Sequence, residues 1–209
     1  MKKILFQGDS ITDCLRDRNN FYGLGDGYAS IVNAHYGYDR PGQFECINRG
    51  ISGNRIVDLY ARIKVDCWNL QPDFISILIG VNDIWHELDY KNGVELDRFE
   101  KVYRMLIEDT KAKLPNVKMM LCEPFVLQGS GTVDTGDKWQ RFTAVYDYAK
   151  VVENLAKEYG LYYLPLQAAI DAAAEELGAE AILSDGVHPA EQGAKLIAKE
   201  WVNLFNQTK

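Results

Sequence analysis

Phe74-Ile75-Ser76-Ile77-Leu78-Ile79 is a run of six residues with five apolar side chains and no polar–apolar alternation. A strand with one wet face alternates with period two, whereas a continuous β-branched run marks a strand covered on both faces. Working outward, Ile56–Leu70 reads as a helix stopped before Pro72, and Leu96–Leu114 as a helix stopped at Pro115. Val117–Cys122 is the next strand. Towards the N-terminus, Lys3–Gln7 and Phe44–Asn48 read as strands around a helix, Tyr28–Tyr36, ended by Gly37. Towards the C-terminus, Trp139–Tyr159 reads as one long helix closed by Gly160, a common C-terminal stop. A short fifth strand, Leu161–Leu164, precedes helices Gln167–Leu177 and Ala190–Asn206.

This alternation implies right-handed βαβ crossovers and a parallel sheet with helices on both faces. Ligands of such sheets bind beyond the carboxyl ends of the strands. Five loops fall there: Gly8–Cys14, Arg49–Arg55, Gly80–Trp85, Glu123–Lys138 and Ser184–Pro189. The longest irregular stretch, Val126–Asp137, is placed to border a pocket.

The 209 residues suit one domain spanning 1–209, with 47% apolar and 25% charged side chains. A net charge of −7 provides no basic field for nucleic acid or anionic lipid. No segment has the length of a membrane-spanning helix, and the apolar start at Ile4-Leu5-Phe6 stops at Gly8-Asp9, too short for a secretory core. Cys14, Cys46, Cys67 and Cys122 are scattered without metal-ligand spacing. These features are those of a cytoplasmic chain with free thiols.

Four of the five loops carry residue types that acyl transfer requires. Ser10 in Gly8-Asp9-Ser10-Ile11-Thr12 follows a buried strand, and a serine hydroxyl becomes a useful nucleophile when a base takes its proton. Of three histidines, His188 alone has a carboxylate, Asp185, three residues earlier in a Gly/Pro-bearing loop. That loop can present both side chains to one place. Asn48-Arg49-Gly50-Ile51-Ser52-Gly53-Asn54 offers glycine N–H donors, and Gly80-Val81-Asn82-Asp83 a side-chain amide, for a developing oxyanion. Each block alone has an ordinary reading: Ser10 as a helix cap, Gly53 and Asn82 as turn residues.

Gly8-Asp9-Ser10, Gly53, Gly80–Asp83 and Asp185-x-x-His188 together resemble, in order, the four blocks of the SGNH (GDSL-type) hydrolases. The resemblance spans Gly8 to Pro189. It implies a flavodoxin-like three-layer α/β/α sandwich with a central five-stranded parallel sheet. It implies a triad of Ser10, His188 and Asp185, and an oxyanion hole of Ser10 N–H, Gly53 N–H and the Asn82 amide. Ile11 stands where the family name implies Leu, with the same apolar volume. The wider motifs Gly8–Cys14, Gly25-Asp26-Gly27-Tyr28, Gly50–Asn54 and Gly80–Trp85 are similar to those of intracellular acetylxylan esterases of that family, which deacetylate xylo-oligosaccharides. A short-chain esterase, thioesterase or lysophospholipase is the alternative within the class. A flavodoxin-like binding domain without chemistry is the alternative outside it.

Around this centre, Tyr22 and Trp85 offer flat rings for sugar stacking or for ordinary packing. His86 is a substrate-contact candidate, and His35 sits within a helix. Asp9 is expected to hold the nucleophile loop through backbone N–H groups, not to bind a metal. No H-E-x-x-H, G-x-x-x-x-G-K-[ST] or G-x-G-x-x-G motif occurs, so no cofactor or metal is expected. The expected partner is a small acetylated sugar or short-chain ester. Related enzymes often self-associate, so a homo-oligomer is expected.

Overall fold

A computed structural model describes residues 1–208. At its centre β1 (Lys2–Gly8) pairs in parallel with β2 (Phe44–Asn48) on one side and β3 (Phe74–Leu78) on the other. β4 (Lys118–Cys122) and β5 (Tyr162–Leu164) continue from β3, also parallel, in the order β2-β1-β3-β4-β5. All five residues of β3 are buried, as its continuous apolar run requires. The strand order reverses between β1 and β3, and this reversal opens a crevice beyond their carboxyl ends.

Alternate side chains of one strand serve opposite faces. Phe6 and Phe74 pack against Trp201 of α11 (Glu191–Phe205), with ring centroids 5.3 and 5.9 Å away. The Trp201 indole N–H donates to Ser76 Oγ at 2.9 Å. Tyr28 and Tyr36 of α2 (Tyr28–Asp39) complete this aromatic layer. Gln7, the neighbour of Phe6, instead reaches Asp66 of α4 (Ile63–Asp66) on the other face. There α3 (Ile56–Ala61), α6 (Leu96–Lys113) and α8 (Val145–Tyr159) pack together around Phe99, Tyr103 and Tyr148. Each large buried side chain contributes about 1.5–3 kcal/mol of transfer free energy.

The remaining helices are α1 (Ser10–Asp13), α5 (Val81–Tyr90), α7 (Lys138–Phe142), α9 (Gln167–Leu177) and α10 (Ala179–Ile182). Four local expectations change. Gly80–Trp85 is not all loop: Gly80 takes φ +137° as the cap, and the chain turns at once into α5. The expected helix Ile56–Leu70 is α3, α4 and a 3-10 turn at Trp68–Leu70, broken at Arg62 and Cys67. Trp139–Tyr159 is two helices, with a break at Thr143-Ala144. The helix begun at Tyr28 runs through Gly37 to Asp39, because an exposed helical glycine costs only about 1 kcal/mol. Among the described residues no helix is long and apolar enough to cross a membrane.

Candidate active site

β1 ends at Gly8, and Asp9 caps the single turn of α1 by accepting the Ile11 N–H at 2.9 Å. Ser10 is the first residue of that turn, half-buried at the mouth of the crevice. The turn's last residue, Asp13, accepts the N–H and the hydroxyl of Ser52 at 3.0 and 3.1 Å. The Ser10 turn and the β2-end loop are thereby tied together. Gly53, next in that loop, has φ +81°, a left-handed value that a residue with a Cβ adopts at a cost. From the far side of the crevice α5 supplies Asn82, whose Nδ2 donates to Asn54 O at 3.1 Å. An amide has a second N–H, and Asn82 lines the same cavity as Ser10 and Gly53.

The Asp185–His188 turn arrives between α10 and α11. Gly186 has φ +95°, and a Cβ there would stand 2.5 Å from Leu127 O, so the turn requires glycine. His188 Nε2 lies 2.8 Å from Ser10 Oγ, and His188 Nδ1 lies 2.7 Å from Asp185 Oδ2. Asp185 Oδ1 accepts the backbone N–H groups of Val187 and His188 at 2.9 and 2.8 Å. Burial works against ionisation of Asp185, yet hydrogen bonds from the His188 ring and these two N–H groups bring its pKa down to about 2. The Asp185 hydrogen bond in turn holds the His188 pKa above its ordinary value, against partial burial. With a proton on Nδ1, His188 presents an acceptor at Nε2 to the serine hydroxyl.

Two further carboxyls lie beneath the site. Burial raises Asp9 to about 7, and its Oδ2 has no hydrogen-bond partner among the described residues. Burial also holds Asp83 well above the usual carboxylate range, while both its oxygens accept the Ile56 N–H, at 3.1 and 3.3 Å.

A cavity of about 310 Å³ opens from Ser10 along Gly53, Asn82, Trp85, His86 and His188. The Trp85 indole is fixed there. Its N–H donates to Asp89 Oδ2 at 2.7 Å, Lys138 pairs with Asp89 Oδ1 at 3.0 Å, and the ring lies 5.7 Å from that of His188. A second cavity of about 330 Å³ shares Ser10 and His188 but is walled mainly by apolar groups, including Ile11, Leu15, Ala190 and Ala194. Among the described residues no cluster of three or more His, Cys, Asp or Glu side chains is arranged to hold a metal.

The model of the GDSL-like Lipase/Acylhydrolase family matches residues 6–196, from the end of β1 into α11. The chain belongs to this family. GDSL-like relatives cover it nearly end to end. An acetylxylan esterase of Geobacillus stearothermophilus is 35% identical over 212 residues, covering 96% of this chain and 92% of that protein. The crystal structure of that organism's acetylxylan esterase Axe2 superposes with a TM-score of 0.85 at 33% identity, covering 97% of this chain and 93% of the other. A GDSL-like lipase structure from Parabacteroides merdae gives 0.91 at 38% identity, covering 98% and 95%. Catalytic mutants of Axe2 with a serine, an aspartate or a histidine replaced by alanine have also been solved. As a GDSL-like protein the chain is a carboxylic ester hydrolase.

Seven of the eight site residues read from the GDSL-like sequence converge: Ser10, Gly53, Asn82, Trp85, His86 and His188 line one cavity, with Asp185 behind His188. Tyr22 does not join them. It is 63% exposed, packs edge-on against Phe21 at 5.0 Å, and lines neither cavity beside Ser10. Its loop folds on itself, with the Tyr22 N–H held by Asn20 Oδ1 at 3.0 Å. Ser52, Asp89 and Tyr90 line the cavity as well. Asp89 and Tyr90 are the i+4 neighbours of Trp85 and His86, a helical spacing hidden while Gly80–Trp85 is read as loop. The Val126–Asp137 stretch backs the Asp185–His188 turn, with Leu127 N–H and Gly131 N–H donating to Gly186 O and Asp185 O at 2.8 Å each.

Proposed function

We propose that this chain is a serine esterase that removes acetyl groups from carbohydrates, with acetylated xylo-oligosaccharides as the substrate class. The observation that carries it is the unbroken relay Ser10–His188–Asp185, at 2.8 and 2.7 Å, opening onto a cavity walled by Trp85, His86 and Tyr90. Aromatic faces with polar edges suit sugar rings, and the chain's likeness to acetylxylan esterases supports the same class.

In the reaction Ser10 Oγ attacks the acetyl carbonyl carbon while its proton passes to His188 Nε2. Asp185 fixes the ring and stabilises the imidazolium. The oxyanion is met by the N–H groups of Ser10 and Gly53 and by the Asn82 amide. The bond to the sugar oxygen breaks, and His188 hands its proton to that oxygen. Water then attacks acetyl-Ser10, His188 takes the water's proton, and acetate leaves as Ser10 regains it.

Ser10→Ala will abolish acetate release from acetylated xylo-oligosaccharides and turnover of p-nitrophenyl acetate, with an unchanged circular dichroism spectrum. Near-normal turnover would refute the mechanism. The apolar second cavity favours one other reading, an esterase for longer acyl chains. An acyl-chain series separates the two: acetyl preference supports deacetylation, and rates rising with chain length support the lipid reading.

The four free thiols suit a cytoplasmic site, and self-association completes the reading. A monomer mass by light scattering would remove the oligomer.

A further inference from the structure

The structure assigns Arg62 as the positioning residue that sets the oxyanion hole, although it touches no reacting atom. The assignment rests on the Ser10 mechanism above. Arg62 stands in the break between α3 and α4, with a side chain only 13% exposed. Its guanidinium bridges two separate segments, the end of β1 and the β2-end loop. Nη2 donates to Gly8 O at 3.1 Å, at the end of β1 and two residues before Ser10. Nη1 donates to Arg49 O at 2.7 Å, at the start of the β2-end loop, and to Gln7 Oε1 at 3.0 Å. Nε donates to Asn54 Oδ1 at 2.7 Å, one residue beyond Gly53. Asp66 Oδ2, 3.0 Å from Nη1, supplies the counter-charge.

These contacts lead to every oxyanion donor. The Gly8 carbonyl that Arg62 holds also accepts the Ile51 N–H at 3.1 Å, which locks the Ser10 turn to the Gly53 loop. Asn54, gripped by its side chain, uses its own carbonyl to accept Nδ2 of Asn82 at 3.1 Å. One side chain thus sets the spacing among Ser10, Gly53 and Asn82, which come from three different strand ends. The chemistry explains the residue type. Two backbone carbonyls and two side-chain oxygens converge on one buried point beneath the loops, and a planar fork of five N–H donors satisfies them together. A lysine ammonium has the charge but offers three donors from a single atom and cannot span them.

Oxyanion donors act chiefly in the transition state, so displacing them lowers kcat more than it raises KM. Arg62→Lys is expected to lower kcat for p-nitrophenyl acetate by about 10- to 100-fold with KM within about threefold. The decisive readout is a double-mutant cycle with Asn82→Ala. If Arg62 works through the hole, the factor lost on Arg62→Lys shrinks by about threefold or more in the Asn82→Ala background. A merely structural loss multiplies equally in both backgrounds. An Arg62→Lys enzyme within twofold of wild-type kcat, or strict additivity, would overturn the assignment. If Arg62→Lys does not fold, Asn54→Ala cuts only the arm to the Gly53 loop and is read in the same cycle by the same criterion. Ser10→Ala is assayed alongside: turnover in that variant refutes the Ser10 mechanism itself, whereas an inert Ser10→Ala beside an unimpaired Arg62→Lys refutes only the role of Arg62.

Discussion

Asp185 holds His188 at two points: Oδ2 meets the ring Nδ1 at 2.7 Å, and Oδ1 accepts the backbone N–H of the same residue at 2.8 Å. The second contact lets the turn persist when the first is altered. Asp185→Asn keeps the oxygen that caps the turn but removes the charge to which the proposed mechanism assigns orienting and stabilising the imidazolium. Its kcat for p-nitrophenyl acetate is expected to fall by about a hundredfold or more, with little change in thermal midpoint. A loss below tenfold would count against Asp185 as the partner of the base.

The pH dependence of kcat/KM follows from the same pair. His188 works as a base only when neutral, and Asp185 holds its pKa above the ordinary value of 6.5. Activity is therefore expected to rise with pH through a midpoint above that value. In Asp185→Asn the midpoint of the residual activity moves to lower pH, because the largest cause of the elevation is gone. A profile flat from about pH 5 to 8 would contradict His188 as the base.

Asp9 makes stability depend on pH in the opposite sense from an ordinary ion-paired carboxylate. Its folded pKa of about 7 lies above the ordinary 3.8, so between these values the folded chain binds more protons than the unfolded one. Stability contributed by the protonated form is present at low pH and is lost as pH rises through that window. Asp185, depressed to about 2, contributes above 3.8 and loses its contribution only as pH falls below it, outside this range. Asp9→Asn cannot ionise, so its thermal midpoint is expected to change less between pH 5 and pH 8 than that of the wild type. An unchanged pH difference would show that Asp9 does not titrate there.

Gly53 tests the loop rather than the triad. Its φ of +81° places a Cβ in the left-handed region, at a cost of about 1–2 kcal/mol. On the proposed mechanism Gly53→Ala is expected to lower kcat by about tenfold or more, since strain relief rotates the N–H assigned there to the oxyanion. Steady-state kinetics with p-nitrophenyl acetate read this directly, and an unchanged kcat would remove Gly53 from the hole.

Trp201 is the control, a core residue that lines neither cavity beside Ser10. Trp201→Phe leaves Ser76 Oγ without its indole donor and opens space beside Phe6. Chemical denaturation is expected to show a loss of about 1–3 kcal/mol with kcat unchanged. Equal stability would mean that the buried bond to Ser76 contributes nothing.

Sequence alone determined the centre of the sheet, because a strand buried on both faces is apolar over most of its length. Phe74–Ile79 and the runs in β1 and β4 show that without help. It also picked out the candidate site residues that the fold brings together, since Gly8-Asp9-Ser10, Gly53, Asn82 and Asp185-x-x-His188 are short local motifs in a fixed order. Tertiary structure decided everything that depends on which loops meet. Tyr22, an aromatic residue close in sequence to Ser10, turned out to face Phe21, because a self-bonded loop directs it. Asp89 and Tyr90 entered the cavity because α5 starts immediately after β3, which turn-like Gly80-Val81-Asn82-Asp83 concealed. Arg62 carries no motif, and its proposed role lies in four acceptors from the β1 end and the β2-end loop. Local patterns record what one segment needs, whereas long-range hydrogen bonds exist only once the β1/β3 reversal has brought the strand ends together.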